Sequence, residues 1–144
     1  MAVETARTSK ADAVRDFLKS RGTAAHLVKS GLPGLVDRWE RITEDIAAGY
    51  ELSLEDLLAD LDLRNLIAGA LEVSPAEDKT AIAAKLAAAD KRFRLHTESS
   101  VCLWGDDVAD DEGWTPKSHW WYFARPRRPG RELKRDLRRL VEEH

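Results

Sequence analysis

The sequence feature that most constrains the fold is a series of apolar runs at helical spacing, each ended by a glycine or a proline. One such run, which a glycine ends at position 49, contains Leu35, Trp39, Ile42 and Ile46. This spacing of three or four residues places the side chains on one face of an α-helix. Glycine is the residue most favoured just after a helix. The pattern predicts a mainly helical protein.

Two capping signals mark helix starts in the first half of the chain. Ser9, followed three residues later by Asp12, predicts a first helix, because an N-cap serine accepts a hydrogen bond from a first-turn amide. Ser53 and Asp56 predict a leucine-rich helix by the same pairing. The apolar register of this helix breaks near Asp62, which is therefore predicted to cap a second, separate helical piece.

The strongest local signal is the run Ser74-Pro75-Ala76-Glu77. It offers an N-cap serine, a proline at the first helical position and a glutamate that closes the capping box. The helix that follows is predicted to end near Leu95, and a final amphipathic helix is predicted to begin near Arg131. Across these helices, the residues predicted to be buried are Trp39, Ile42, Leu58, Leu86 and Phe93.

The character of the sequence changes after residue 100. Residues 101–104 and 119–125 are β-branched or aromatic and are predicted to form two antiparallel strands. Residues 105–117 between them are predicted to form an acidic loop, much longer than a hairpin turn requires. The expected fold is one α+β domain over residues 1–144, with a flexible tail at 1–8. It is a mainly α domain of five to six helices, with one C-terminal two-stranded antiparallel hairpin and then the final amphipathic helix.

Composition excludes several classes of protein. The chain has 144 residues, of which 23 are Lys or Arg and 26 are Asp or Glu, so its net charge of −3 argues against a general polyanion binder. The single cysteine, Cys102, excludes an internal disulfide and a cysteine-built zinc site. No apolar stretch is long enough to span a membrane, and the polar start is not a signal peptide. These features predict a cytoplasmic protein, and its arginine-rich usage suggests a bacterial source.

The most unusual segment combines aromatic and acidic side chains. Six of the ten Phe, Trp and Tyr residues fall within positions 104–123, beside five carboxylates. Tryptophan and tyrosine often provide most of the binding energy at protein interfaces. The alternative is that these rings form the core of a small domain. The predicted partner-binding residues are Trp104, Asp106, Asp107, Asp110, Asp111, Glu112, Trp114, Trp120 and Trp121.

A second charged feature is the arginine-rich C-terminal segment. Residues 117–144 hold nine basic and four acidic side chains, and several arginines are helical neighbours that repel one another. Their charge is neutralised either by the chain's own acidic segments, at 37–78 or in the loop, or by a phosphate backbone or an acidic partner. The candidate nucleic-acid contacts are Arg125, Arg127, Arg128, Arg131, Arg135 and Arg138.

Signs of catalysis are absent from the sequence. It contains no nucleophile elbow, no phosphate-binding glycine loop and no histidine pair with metal-ligand spacing. Cys102 lies among apolar residues, where burial makes a thiol unreactive. We therefore predict no catalytic residue, no metal and no cofactor. An enzyme with a pocket lined by Trp120, Trp121 and His119 is the third hypothesis.

The leading functional hypothesis is a small monomeric module that binds another protein. Its partner is expected to have a basic surface, which the acidic, tryptophan-bearing loop would cover, as in an antidote or immunity-type inhibitor. The alternative is a nucleic-acid-associated regulator that uses the C-terminal arginines. The adjacent carboxylates would make such binding weak at most. No membrane association is expected.

Overall fold

The computed structural model describes residues 13–143 and confirms a mainly α fold with a two-stranded antiparallel sheet followed by a final helix. The predicted tail and the Ser9 cap lie outside the described residues. None of the described helices is long and apolar enough to cross a membrane. In chain order the elements are α1 (residues 13–20), α2 (Ala25–Ala48), α3 (Leu54–Val73), α4 (Ala76–Leu95), β1 (Thr97–Ser99), α5 (Asp106–Glu112), a 3₁₀-helix (Trp120–Phe123), β2 (Ala124–Pro126) and α6 (Arg131–Glu142).

The second helix, α2, bends at Gly31. Gly31 has a φ of 65°, a left-handed value that glycine adopts without strain, and Pro33 follows it inside the helix. Beyond the bend, α2 continues to Ala48, and Gly49 caps it with a φ of 124°. The run at helical spacing is therefore confirmed as one helix face.

The third helix, α3, begins at the predicted capping box of Ser53 and Asp56 but has no break at Asp62. The predicted second cap is wrong. The apolar register changes because α3 packs against α2, α6 and the 3₁₀-helix, so it is buried on more than one face. Its buried residues are Leu57, Leu61, Leu63, Arg64, Ile67 and Ala70.

The fourth helix, α4, spans the predicted residues but starts by a different mechanism. Pro75 occupies the N-cap position, and no side chain caps the helix. The Ser74 hydroxyl instead donates a 2.6 Å hydrogen bond to the Ala70 carbonyl at the end of α3. Serine can satisfy a carbonyl four residues earlier as readily as it caps a helix, so the predicted capping box does not form.

The sheet lies close to, but not at, the predicted strands. Thr97 pairs with Pro126 and Ser99 with Ala124, so the predicted strands at 101–104 and 119–125 are wrong in position. These two segments still run side by side, because the Leu103 amide donates to the Tyr122 carbonyl at 2.9 Å. Residues 120–123 form a 3₁₀-helix, which turns Trp121 and Tyr122 inward together instead of alternating them.

The predicted acidic loop contains a helix, α5. Gly105 precedes it with a φ of 100°, and Gly113 ends it in the left-handed region with a φ of 72°. Asp106 and Asp107 lie in its first turn, where carboxylates are favoured by the positive end of the helix dipole. Ala109, a residue of α5, is buried. The five carboxylates are therefore held on a helix and not on an irregular loop.

The core is centred on the aromatic rings between α2 and α4. Trp39, Ile42, Leu86 and Phe93 are buried as predicted. Leu58 is only half-buried, and the preceding residue, Leu57, is buried in the core instead. The Phe93 ring lies 5.3 Å from that of Trp39 and 5.6 Å from that of Trp120.

Replacing Phe93 with alanine is expected to lower the free energy of unfolding by about 3–5 kcal/mol, because the ring is enclosed and its loss leaves a cavity. Urea denaturation measures this value. Leu95→Ala on the same helix is the control, since Leu95 is 63% exposed and its loss should change stability by no more than about 0.5 kcal/mol. A loss below about 1 kcal/mol for Phe93→Ala would contradict the described packing.

Candidate functional site

A groove with a volume of about 1100 Å³ runs along α3. Its floor extends from Ala59 to Glu72, which corresponds to a length of about 20 Å along the helix. One wall is formed by α1 and the start of α2, where the Phe17 ring packs on Gly69 of α3. The opposite wall is formed by Trp104, Val108, Glu112, Trp114, His119 and Tyr122.

Asp62 joins the floor of the groove to this second wall. Its Oδ1 accepts a 2.6 Å hydrogen bond from the Tyr122 hydroxyl and a 3.0 Å hydrogen bond from Trp104 Nε1. Burial raises the pKa of Tyr122, and the bond to Asp62 raises it further, so the phenol stays a hydrogen donor at neutral pH. The Asp62 side chain is thereby fixed by two donors from sequence-distant segments.

Trp114 is held in the wall by stacking and by the end of α5. Its ring lies 4.2 Å from that of Tyr122, with an angle of 15° between the planes, and 5.6 Å from that of His119. The Trp114 amide donates to the Ala109 carbonyl at 2.9 Å, just after the left-handed Gly113. The indole is half-buried and lines the groove.

The carboxylates of α5 divide between the groove and the adjoining surface. Glu112 lines the groove together with Val108, one helical turn before it. The other four, Asp106, Asp107, Asp110 and Asp111, are exposed on the solvent side of α5. Seven of the nine predicted partner-binding residues therefore lie in or beside one groove, namely these five carboxylates with Trp104 and Trp114.

Of the remaining two predicted residues, Trp121 belongs to the core and Trp120 is partly buried against it. Trp121 is 3% exposed, and Trp120 is covered by the guanidinium groups of Arg64 at 5.2 Å and Arg94 at 4.3 Å from its ring centre. The predicted pocket lined by Trp120, Trp121 and His119 does not form. His119 lines the large groove, whereas Trp120 lines a separate cavity of about 220 Å³.

A buried ion pair that the sequence analysis missed lies beneath these rings. Arg64 Nε donates to Asp90 Oδ1 at 2.9 Å, and Arg64 Nη2 donates to Asp90 Oδ2 at 3.0 Å. Trp39 Nε1 also donates to Asp90 Oδ1, at 2.9 Å. One signal was present, because Arg64 is the only basic residue in a long acidic stretch from position 42 to position 78.

The arginines of the alternative nucleic-acid surface form two groups. Arg125 and Arg127 flank Glu98, with nitrogen–oxygen distances of 3.0 and 3.8 Å. The others, Arg128, Arg131, Arg135 and Arg138, are exposed and have no carboxylate within 4.0 Å among residues 13–143. Among residues 13–143, no ion pair joins these four arginines to the acidic segments at 37–78 and 105–117.

Metal and thiol chemistry find no support in the described part of the chain. Residues 13–143 contain no group of three His, Cys, Asp or Glu side chains placed to hold a metal ion. Cys102 is buried, and burial raises the pKa of its thiol, which keeps it protonated and weakly reactive.

The groove also contains residues that sequence reasoning did not select. Asp62, Phe17 and Tyr122 all line it. A charged residue within a leucine-rich run, such as Asp62, can indicate a functional side chain. The sequence analysis instead predicts that Asp62 caps a helix. Nothing in the sequence paired it with an aromatic segment 60 residues later.

Similarity to known proteins does not identify this site. No family model, curated protein or solved structure matches the chain. Function therefore has to be inferred from the residues of the groove.

His119 is expected to titrate below the ordinary histidine pKa, because burial among the rings of the wall disfavours its charged form. Proton NMR of the imidazole measures this pKa. Glu112→Gln should lower it further, since the Glu112 carboxylate raises it. The same titration of the urea-unfolded chain is the reference, and equal folded and unfolded values would contradict the described burial.

The shift also fixes the direction of a stability change. Because folded His119 has the lower pKa, the unfolded chain binds the proton more readily. The stability contributed by this site is complete above the unfolded pKa and is lost as the pH falls through that value toward the folded one.

Proposed function

We propose that this protein is a protein-binding module whose groove along α3 receives a segment of a partner with a basic surface. The observation that carries the proposal is the placement of Trp104 and Trp114 in one wall of an open groove, next to the acidic helix α5. Partly exposed tryptophans provide apolar contact area, and the carboxylates select the sign of the partner's charge.

The charge of the groove favours a cationic partner. Among the described residues, its lining includes the carboxylates of Asp62, Glu72 and Glu112 and one guanidinium, that of Arg21. Arg21 is also held over the Phe17 ring, at 5.3 Å from its centre. The aspartates of α5 add further negative charge beside the groove. Such a field increases the rate of encounter with a basic surface.

The aromatic part of the groove favours a partner with apolar or planar side chains. Trp104 is 39% exposed although its indole nitrogen is hydrogen-bonded, and Trp114 is half-buried against Tyr122. Rings that are already fixed lose little conformational entropy on binding. In its most specific form, the proposal is a monomeric antidote or immunity-type inhibitor that covers a basic active site.

The carboxylates of α5 and the tryptophans of the groove are expected to affect different rate constants of partner binding. Asp107→Asn with Asp111→Asn should slow association about tenfold at low salt and flatten its salt dependence, because long-range attraction is lost. Trp114→Ala should instead speed dissociation about tenfold, because a packed anchor is lost. Surface plasmon resonance measures both constants against the partner recovered by affinity capture from a lysate of the source organism.

The matched control is Glu142→Gln with Glu143→Gln, which removes the same number of charges from exposed positions at the end of α6. This variant should bind the captured partner with unchanged rate constants. Recovery of the same partner at equal affinity by Trp114→Ala and by the doubly substituted α5 would show that the groove is not the binding surface.

Nucleic acid is the second candidate partner, and one observation favours it. Four exposed arginines, Arg128, Arg131, Arg135 and Arg138, have no carboxylate partner in the described part of the chain. Glu132 and Asp136 on the same helix reduce the local positive potential. Binding to a phosphate backbone through this face would therefore be weak and independent of base sequence.

Binding of duplex DNA is expected to be detectable at low salt and absent at physiological salt. Contacts from the four arginines to four phosphates set a limiting slope of about −4 for log K against log salt concentration. Fluorescence anisotropy of a labelled duplex measures this slope, with Arg131→Gln and Arg135→Gln reducing it. Tight binding at physiological salt that these two substitutions abolish would make nucleic acid the leading partner.

A further inference from the structure

We propose that the aromatic wall of the groove is a guanidinium subsite, in which Asp62, Trp104 and Trp114 receive an arginine side chain of the partner. This inference rests on the proposed protein-binding function and specifies the side chain that the groove selects. It follows from three observations on the carboxylate, the rings and the neighbouring charge.

The Asp62 carboxylate is held by hydrogen bonds to one of its oxygens, and its other oxygen accepts none from the described residues. Both of its donors, the Tyr122 hydroxyl and Trp104 Nε1, bond to Oδ1. Within residues 13–143, no donor bonds to Oδ2, and no cation lies within 4.0 Å of the carboxylate. The side chain is exposed and lines the groove. It is thus a pre-oriented anionic acceptor, the kind of group that binds a charged N–H donor strongly.

The rings beside this carboxylate present apolar faces to the groove. Trp104 is bonded to Asp62, and Trp114 stacks on Tyr122, the other residue bonded to Asp62. The indole is the aromatic side chain that attracts a cation most strongly. A carboxylate beside indole faces matches a planar cation that can be hydrogen-bonded at its edge and stacked on its face.

The protein itself stacks arginines on aromatic rings. Among residues 13–143, Arg21 lies over Phe17 at 5.3 Å, Arg94 over Trp120 at 4.3 Å, and Arg64 over Trp120 and Trp121 at 5.2 and 4.9 Å. No cation of the described chain stacks on Trp104 or Trp114. These two indoles line the groove, where a cation from outside can reach them.

Arginine fits the subsite better than lysine. Its guanidinium is planar and offers five N–H donors in a fixed arrangement, so it can bond to Asp62 Oδ2 while stacking on an indole. Glu112 on the same wall provides a second acceptor for the remaining donors. A lysine ammonium keeps the charge but loses the planar stacking surface.

The test uses small blocked amino acids as probes, so it does not depend on knowing the partner. Acetyl-arginine amide, acetyl-lysine amide and acetyl-citrulline amide are titrated into the whole protein while the indole N–H signals are followed by NMR. Acetyl-arginine amide should shift the Trp104 indole signal saturably, with a Kd in the millimolar range. Citrulline, which has nearly the same shape without the charge, should bind about tenfold more weakly, because a charged hydrogen bond is lost. Lysine amide should lie between the two.

The protein variants separate the subsite from general attraction to a negatively charged protein. Asp62→Asn keeps an oxygen that can accept from Tyr122 and Trp104 but removes the charge, and it should weaken acetyl-arginine amide about tenfold. Glu142→Gln is the matched control, because it removes one exposed carboxylate at the end of α6, outside the groove, and should leave the Kd unchanged. If Asp62→Asn does not fold, as judged by circular dichroism, the citrulline comparison on the unchanged protein decides the question alone.

Each outcome either supports the subsite or overturns it. The absence of a saturable shift with acetyl-arginine amide, equal binding of the citrulline probe, or equal binding to folded Asp62→Asn overturns it. In those cases, if the captured partner still depends on Trp114 and α5, the protein-binding function stands without this subsite. If acetyl-arginine amide binds as expected but no captured partner depends on the groove, the subsite stands and the protein-binding function fails.

Discussion

The buried ion pair between Arg64 and Asp90 is the interaction on which the arrangement of the other elements depends. The Asp90 carboxylate accepts three N–H donors, two from Arg64 of α3 and one from Trp39 of α2, and it is itself part of α4. Removing charges from water is costly, and the two hydrogen bonds of this pair offset part of that cost, although Arg64 Nη1 is buried with no hydrogen-bond partner among the described residues. A shift in the register of any of the three helices would leave a buried charge unpaired, so the pair favours a single packing of α2, α3 and α4.

The same interaction positions the groove, through the 3₁₀-helix. Trp120 and Trp121 cover the Arg64 guanidinium, while the next residue, Tyr122, donates its hydroxyl to Asp62. Arg64 and Asp62 are two residues apart on α3, and their directions differ by about 200° around a helix. The 3₁₀-helix therefore contacts α3 on two sides, at Arg64 on the buried side and at Asp62 on the groove side. The groove wall is as well fixed as the core behind it.

The helices could be predicted from the sequence wherever a single face of a helix is buried. The spacing of Ile82, Leu86, Ala89 and Phe93 defines α4 because only that face meets the core. The prediction of secondary structure was wrong where tertiary contacts determine the backbone conformation. Residues 120–123 have strand-like composition, but the propensity of aromatic residues for strands reflects packing, and here packing on Arg64 favours a 3₁₀-helix. The short helix α5 has no apolar stripe that periodicity could detect, although its flanking glycines, Gly105 and Gly113, were visible.

The residues of the candidate site likewise divide into those that the sequence could predict and those that only tertiary contacts reveal. Trp104, Trp114 and the carboxylates of α5 could be selected by composition, because they are adjacent in sequence as well as in space. Asp62, Arg64 and Tyr122 could not, because their roles come from partners tens of residues away. Trp120 and Trp121 were assigned to the surface for the same reason. Composition located the aromatic segment, but only the pairing with α3 separates its core rings from its groove rings.

The proposed binding function gives the exposed charges that remain after folding a role that stability does not give them. Helix α5 keeps Asp107 and Asp111 one turn apart, and α6 keeps Arg131 and Arg135 one turn apart. Like charges at this spacing destabilise a helix by about 0.2–0.5 kcal/mol for each pair. Within residues 13–143, none of these four side chains has an opposite charge within 4.0 Å, so no ion pair relieves the repulsion. The penalty is small against a total stability of about 5–15 kcal/mol, so the fold tolerates it. A partner of opposite charge removes the repulsion when it binds, and that relief adds to its affinity for the folded protein.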